Sequence, residues 1–217
     1  MRTRVKICGL TRPGDAREAA RLGADAIGLV FHEGSPRAVG IDEALAVLAS
    51  LPPFVTVTAL FMDAPADDVH HTMRALPIDL LQFHGAESAV YCEAFGRPYI
   101  KSVPMGGKDA QDPVALMRAH PGAAGFVLDG HGAGEPGGSG RVFDWTAVPE
   151  AVQRPIILAG GLHAGNVVTA IRQARPWAVD VSSGVESAPG VKDSGRMASF
   201  ISEVQGVQYV RGNSETG

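Results

Sequence analysis

The sequence predicts an α/β fold, a single (β/α)₈ barrel, and three observations support this prediction. Eight short apolar segments with strand character alternate with segments of helical apolar spacing along most of the 217 residues. Strict alternation of strands and helices is typical of a parallel sheet, and about 200 residues is the lower size of such a barrel. No segment has the character of an interdomain linker. We therefore expect one barrel over residues 1–205 and a polar tail over 206–217, with an open doubly wound sheet as the alternative.

The predicted strands are short apolar runs, several of which end abruptly at a glycine or a polar side chain. They are Val5–Cys8, Ala26–Phe31, Val55–Phe61, Ile78–Phe83, Tyr99–Val103, Gly125–Leu128, Ile156–Ala159 and Ala178–Ser182.

Seven segments have the apolar spacing of an amphipathic helix, and the first stops at Gly23, a common C-terminal signal. They are Asp15–Leu22, Asp42–Leu51, Pro65–Leu76, Glu87–Phe95, Asp112–Arg118, Gly165–Gln173 and Val191–Val204. The segment Trp145–Arg154 has only a weak helical pattern, so a short or irregular element is expected there.

Alternate residues of a strand face opposite sides of the sheet, and four of the predicted strands have one apolar and one polar face. In the first strand, Val5 and Ile7 share one face, whereas Lys6 and Cys8 share the other. The polar faces of the fourth, sixth and eighth strands carry Gln82 and His84, Asp129, and Asp180 and Ser182. In a barrel the apolar faces meet the helices, so we expect the polar groups to converge at the C-terminal mouth.

A thiol and a carboxylate at two strand ends indicate acid/base chemistry. Cys8 closes the first strand before Gly9, and Asp129 closes the sixth before Gly130. The second cysteine, Cys92, lies in a helical segment and is interpreted as inert packing.

Two further turns predict a phosphate site. Gly160-Gly161 follows the seventh strand, and Ser182-Ser183-Gly184 follows the eighth. Backbone N–H groups, hydroxyls and a helix N-terminus all favour an anion, and phosphate sites after these two strands recur in such barrels. Each turn alone is common, but together they indicate a phosphorylated small-molecule ligand.

Composition excludes several other classes of function. A net charge of −4 provides no broad basic field for nucleic acid, and no apolar run is long enough to cross a membrane. Two distant cysteines form no disulfide framework, so we expect a reducing, cytoplasmic location. The glycine-rich segment Gly130–Arg141 is either a lid or a plain connection, and it lacks the ending of a nucleotide-binding P-loop.

In combination, seven motifs make the chain resemble the phosphoribosylanthranilate isomerases of tryptophan biosynthesis from about Val5 to Val204. They are VKICGLT at 5–11, GLVFHEGSPRAV at 28–39, LLQFHG at 80–85, FVLDG at 126–130, GGSGRVFDW at 137–145, LAGGL at 158–162 and DVSSGVE at 180–186.

The resemblance implies a (β/α)₈ (TIM) barrel that catalyses the Amadori rearrangement of N-(5-phosphoribosyl)anthranilate without a metal or organic cofactor. It implies that Cys8 is the general base and Asp129 the general acid, and that Arg37 takes the family's arginine position after the second strand. The phosphate motifs of the family fall on Gly160-Gly161 and Ser182-Ser183.

Other roles are expected from residue chemistry. The planar guanidinium group of Arg37 is expected to pair with the anthranilate carboxylate. Gln82 and His84 are expected to line the pocket, and Asp180 to hold the phosphate loop. The phosphoribosyl compound is the expected partner, with no nucleic acid and no membrane, and the chain is expected to be a monomer or weak homodimer.

The chemistry sets requirements for two pKa values. Free aspartate titrates near 3.9, so Asp129 needs a raised pKa to act as an acid at neutral pH. A free thiol titrates near 8.5, so a modest downward shift at Cys8 would supply thiolate. Lys6 shares the inward face with Cys8 and either stabilises the thiolate or pairs with a carboxylate.

Four alternatives stay open at this point. An epimerase favours a metal or two opposed carboxylates. The indole-forming synthase of the same pathway requires a catalytic lysine at the end of a strand, and Lys101 is a candidate for it. An isomerase that also accepts the histidine-pathway substrate needs aspartate in place of Cys8 and a second phosphate site after the third or fourth strand. A noncatalytic phosphate-binding barrel has no use for the thiol.

Overall fold

The computed structural model describes residues 2–106, 112–132, 142–149 and 153–207 and contains a closed parallel barrel. Its eight strands follow one another around the barrel in chain order, and the first pairs with the eighth. The predicted fold class is therefore confirmed, and the open sheet is excluded.

The strands agree with the predicted segments within a few residues, apart from longer fifth and sixth strands. They are β1 (Arg4–Cys8), β2 (Ala26–Val30), β3 (Thr56–Phe61), β4 (Leu80–Phe83), β5 (Tyr99–Gly106), β6 (Gly125–Gly132), β7 (Ile156–Leu158) and β8 (Ala178–Val181), followed by a short antiparallel pair, β9 (Glu186–Ala188) and β10 (Val191–Lys192). Asp129 thus lies inside β6, opposite Pro104 of β5, rather than just beyond the strand.

Seven α-helices and two short 3-10 helices lie within the described residues. They are α1 (Pro13–Leu22), α2 (Ile41–Leu48), α3 (Ala66–Ala75), α4 (Ala89–Glu93), α5 (Pro113–Ala119), α6 (Val167–Ala174) and α7 (Ser194–Gly206), with 3-10 turns at Trp145–Ala147 and Ser183–Val185. The first 3-10 turn is the short element expected after Asp144. Helix α1 ends at Gly23, whose φ of 102° suits glycine.

Two sequence expectations about the last helix need correction. The predicted helix began at Val191, but Val191 and Lys192 pair with β9, and α7 starts only at Ser194. Helix α7 also runs through Gly206, which the prediction assigned to the tail. Residues 208–217, and all of the segment 130–141 beyond Gly132, lie outside the described residues.

The strands separate two apolar cores, as their alternation predicts. Side chains such as Val5 and Ile7 belong to the large cluster between barrel and helices. A small cluster of Ile100, Val127, Ile157, Ala159 and Ala178 lies apart from it. Because these five residues share the parity of Lys6 and Cys8, the apolar cluster fills the barrel interior below the polar groups.

Lys101 lies on the helix-facing side of β5, because its neighbour Ile100 belongs to the interior cluster. Its ammonium group lies 3.2 Å from Glu87 Oε2 and donates to the carbonyl oxygen of Gly85 over 2.6 Å. Glu87 also accepts a hydrogen bond from the Asp63 N–H over 2.8 Å. This buried pair ties β5 to the segments after β3 and β4 and lies outside the barrel mouth.

None of the helices in the described part of the chain is both long and apolar enough to cross a membrane.

The substitution Lys101→Met tests the structural role of this pair. It leaves the buried Glu87 carboxylate without its cation, so we expect the free energy of unfolding to fall by about 3–5 kcal/mol. Denaturant unfolding measures this loss. The double variant Lys101→Met/Glu87→Gln should recover part of it, whereas an unchanged single variant would contradict the role.

Candidate active site

A pocket opens at the C-terminal mouth of the barrel, where the predicted polar groups converge. Every predicted site residue except Gly184 lines it. The lining consists of Cys8, Val30, His32, Ser35, Arg37, Leu60, Met62, Gln82, His84, Asp129, Ala159, Gly160, Gly161, Leu162, Asp180, Val181, Ser182 and Ser183. Sequence reasoning missed the side wall formed after β2 and β3, although the parity of Val30 and Leu60 would have placed these two inside.

Two glycines make room for the thiol of Cys8. Gly28 of β2 lies opposite Cys8, and a Cβ on Gly28 would lie 2.6 Å from the Cys8 sulfur. Gly9 adopts a φ of 71°, and its N–H donates to the Gly28 carbonyl oxygen. The chain therefore turns away directly after the thiol, as the sequence predicts.

Burial raises the pKa of the Cys8 thiol above its ordinary value. Lys6 and Lys192 act in the opposite direction, and the Asp180 carboxylate adds to the increase. The downward shift that would supply thiolate is therefore not found in the structure, because desolvation of the thiolate outweighs the two nearby ammonium groups.

A chain of polar contacts crosses the barrel interior and reaches the pocket. Lys6 Nζ donates to Asp180 Oδ2 over 2.7 Å and to Gln82 Oε1 over 2.9 Å. Gln82 Nε2 lies 3.4 Å from Ser102 Oγ, which lies 2.8 Å from His84 Nδ1. All five side chains are buried, so strands β1, β4, β5 and β8 hold them in one arrangement.

The Lys6 and Asp180 charges pair directly. Burial favours the neutral amine, but Asp180 and Cys8 raise the pKa of Lys6 above its ordinary value. Burial also raises the pKa of Asp180, a nearby Asp129 carboxylate adds to this, and Lys6 opposes it. Asp180 Oδ1 is buried and has no hydrogen-bond partner among the described residues. Asp180 therefore braces Lys6, whereas the sequence suggested that it holds the phosphate loop.

The two predicted phosphate turns lie side by side. Gly160 and Gly161 have φ values of 80° and 62°, which other residues rarely adopt. Asn166 Nδ2 donates to the Gly161 carbonyl oxygen over 2.9 Å. A Cβ on Gly184 would lie 1.9 Å from the Leu162 carbonyl oxygen. Gly184 thus lets the turn after β8 approach the turn after β7, although it does not line the pocket.

Arg37 reaches the pocket from the segment after β2, and its guanidinium is already paired. Arg37 Nε and Nη2 donate to the two carboxylate oxygens of Glu186 over 2.9 and 2.8 Å. Lys192 Nζ donates to Glu186 Oε1 over 2.7 Å. Sequence reasoning missed Glu186 and Lys192 as parts of the site, since no periodicity connects them with Arg37, although Glu186 closes the DVSSGVE motif.

No group of three or more His, Cys, Asp and Glu side chains suited to a metal ion occurs in the described part of the chain.

Comparison with protein families and curated sequences shows which known proteins this chain resembles. The sequence model of one family, described as N-(5'phosphoribosyl)anthranilate (PRA) isomerase, matches residues 5–203. The N-(5'-phosphoribosyl)anthranilate isomerase of Halorhodospira halophila is 52% identical over 205 residues, which cover 94% of this chain and 98% of the relative. The N-(5'-phosphoribosyl)anthranilate isomerase of Nitrosococcus oceani is 50% identical over 207 residues, which cover 95% of this chain and 100% of the relative.

Solved structures show the same likeness. The phosphoribosyl anthranilate isomerase of Thermotoga maritima has a TM-score of 0.84 and 35% identity, covering 94% of this chain and 100% of its own. Another, solved with reduced 1-(o-carboxyphenylamino)-1-deoxyribulose 5-phosphate, has a TM-score of 0.82, 32% identity and the same coverage. Monomers generated from the dimeric Thermotoga maritima enzyme have a TM-score of 0.80 and 31% identity, covering 94% of this chain and 100% of their own.

The substitution Gly184→Ala tests the close approach of the two turns. The added methyl group must push the β8 turn away from Leu162, so we expect a loss of about 1–3 kcal/mol in stability. We also expect a weaker affinity for inorganic phosphate, measured by isothermal titration calorimetry. Gly14→Ala is the matched control, because a Cβ at Gly14 meets no atom within 4 Å; equal behaviour of the two variants would contradict the packing argument.

The titration of Cys8 tests the effect of burial. In the ligand-free protein we expect the thiolate absorbance that Cys8→Ser removes to appear only above the ordinary thiol pKa of about 8.5. A thiol with a raised folded-state pKa contributes stability below its unfolded pKa, and this is lost as pH rises through the folded pKa. The free energy of unfolding of wild type, relative to that of Cys8→Ser, should therefore decrease above about pH 8.5. A midpoint below that pH would contradict the assignment.

Proposed function

The chain belongs to the N-(5'-phosphoribosyl)anthranilate isomerase family, and on that premise we propose that Cys8 is its general base and Asp129 its general acid. The protein is an isomerase of tryptophan biosynthesis. The proposed reaction is the Amadori rearrangement of N-(5-phosphoribosyl)anthranilate to 1-(2-carboxyphenylamino)-1-deoxyribulose 5-phosphate.

One observation carries the proposal: a buried thiol at the end of β1 and a buried carboxylate within β6 line the same pocket. Cys8 ends β1 and Asp129 lies in β6, and strands β7 and β8 separate them around the barrel. A substrate in the pocket therefore contacts the two groups from different sides, as an acid and a base acting on one sugar require.

Asp129 starts the reaction by giving a proton to the ring oxygen of the ribose. The bond between that oxygen and the anomeric carbon then breaks, and the anilino nitrogen supplies electrons to form an iminium ion. An acid in this role must hold its proton at neutral pH. Asp129 is a buried carboxyl group, and its charge interacts with that of Asp180.

Cys8 completes the reaction by removing the proton from the second ribose carbon. The adjacent iminium group makes that C–H bond acidic, and the electron pair moves to give an enol-amine. The enol-amine then takes up a proton at the first carbon and loses its enol proton, which gives the ketone. Burial raises the pKa of Cys8. Once the iminium ion has formed, its positive charge favours the thiolate form of Cys8, and Lys6 and Lys192 act in the same direction.

The remaining groups supply binding energy. Arg37 faces the anthranilate carboxylate in this proposal, and Gly160, Gly161, Ser182, Ser183 and Gly184 form the phosphate turns. Gln82 and His84 line the wall between them. No metal or organic cofactor takes part in the proposed steps. A cytoplasmic location and a monomer or weak homodimer stay predictions.

The placement of Lys101 argues against the synthase alternative. That reaction needs a lysine in the pocket, whereas Lys101 is buried against Glu87 on the helix-facing side of β5. The broader isomerase needs an aspartate where Cys8 stands. A noncatalytic barrel explains the phosphate turns but not the thiol facing the carboxylate.

Turnover by wild type, Cys8→Ser and Asp129→Asn tests the proposal. The substrate is made in situ from anthranilate and phosphoribosyl pyrophosphate, and the loss of its fluorescence is followed. We expect each substitution to lower kcat by ~10²-fold or more, because it removes one proton-transferring group. EDTA should leave the wild-type rate unchanged.

Cys92→Ser is the matched control, since Cys92 is buried in α4 outside the pocket. Turnover that survives Cys8→Ser would keep the isomerase and assign the base elsewhere. A folded wild type without turnover would reject the activity and favour the noncatalytic barrel.

A further inference from the structure

A buried ion cluster, defined by Arg37, Glu186 and Lys192, lies behind the rim of the pocket. All three side chains are at most a tenth exposed. Arg37 comes from the segment after β2, whereas Glu186 and Lys192 come from the short pair β9 and β10 after β8. Only Arg37 lines the pocket. The other two therefore affect a bound molecule through their neighbours.

Glu186 constrains the orientation of the Arg37 guanidinium. Its two carboxylate oxygens accept from Nε and Nη2, which fixes the plane of the group. Arg37 Nη1 donates to no residue that the structure describes. The Arg37 stem lies over Gly9, where a Cβ would be 2.4 Å from Arg37 Cδ. With Nε and Nη2 paired to Glu186 and the stem held against Gly9, the guanidinium has the edge at Nη1 left for an anion.

Lys192 keeps this cluster positively charged. Glu186 alone would neutralise Arg37, but Lys192 Nζ donates to the same carboxylate over 2.7 Å, so two cations share one anion. Both cations lower the pKa of Glu186 despite its burial, which keeps it ionised. Lys192 Nζ also lies 3.3 Å from Ser182 Oγ in the phosphate turn. The net charge suits a ligand with a carboxylate and a phosphate.

We propose that Glu186 is a positioning residue, which holds Arg37 so that the free edge of the guanidinium meets the substrate carboxylate. This inference rests on the proposed function, in which Arg37 binds that carboxylate. Glu186 itself does not touch substrate. Its effect on the reaction therefore passes through Arg37, and it disappears when Arg37 is absent.

A double-mutant cycle tests this dependence. Glu186→Gln keeps the shape of the side chain, but its NH2 group is a donor and cannot replace the second carboxylate oxygen that accepts from Arg37. We expect it to lower kcat/KM by ~10-fold or more in the wild-type background and by less than ~2-fold in the Arg37→Met background. Glu18→Gln is the matched control, because Glu18 pairs with Arg21 through the same two-bond geometry on the surface of α1.

The outcomes separate this inference from the proposed function. Equal losses from Glu186→Gln in both backgrounds would show a general structural role and overturn the inference. Full activity of Arg37→Met would instead remove Arg37 from substrate binding, which overturns both the inference and that part of the proposed function. Thermal melts establish that each variant is folded. If Glu186→Gln does not fold, Glu186→Asp goes through the same cycle, with the same expected dependence on Arg37.

Discussion

The buried ammonium group of Lys6 constrains the upper half of the barrel interior. A charge in this setting is tolerated only when it is paired and hydrogen-bonded. The neighbouring strand β8 supplies Asp180, and β4, across the interior, supplies the amide oxygen of Gln82. The floor of the pocket is thus held by directional bonds between strands that are distant in sequence, above an apolar layer that fills the lower barrel.

The charges around the pocket alternate in sign and are coupled. Lys6 and Lys192 each lower the pKa of Cys8, while Asp180 raises it and Asp129 raises that of Asp180. A change of charge at any one of these groups therefore alters the protonation of the others. This coupling suits the proposed reaction, in which one group delivers a proton, another removes one, and the bound intermediate is positively charged between the two steps.

Much of the barrel was predictable because β alternation and helical spacing are local properties. The polar face of β1, with Lys6 and Cys8, and the left-handed stop at Gly23 follow from neighbouring residues alone. Errors occurred where partners are distant. Val191 and Lys192 are not helical because they pair with β9. The buried pair of Lys101 and Glu87, which joins β5 to the segment after β4, was likewise not predicted. The raised pKa of Cys8 could not be predicted from the sequence, because burial depends on the whole barrel.

The sequence by itself determined the order of strands and helices, the inward parity of the polar strand ends, the thiol and carboxylate that face one pocket, and the two glycine- and serine-rich turns. Only the tertiary structure decided which charges pair. It joined Arg37 to Glu186 across 149 positions of the chain and Lys6 to Asp180 across 174. Such pairs leave no periodic trace in a sequence, because closure of the barrel alone brings the residues of β1, β2 and β8 to one side of the mouth.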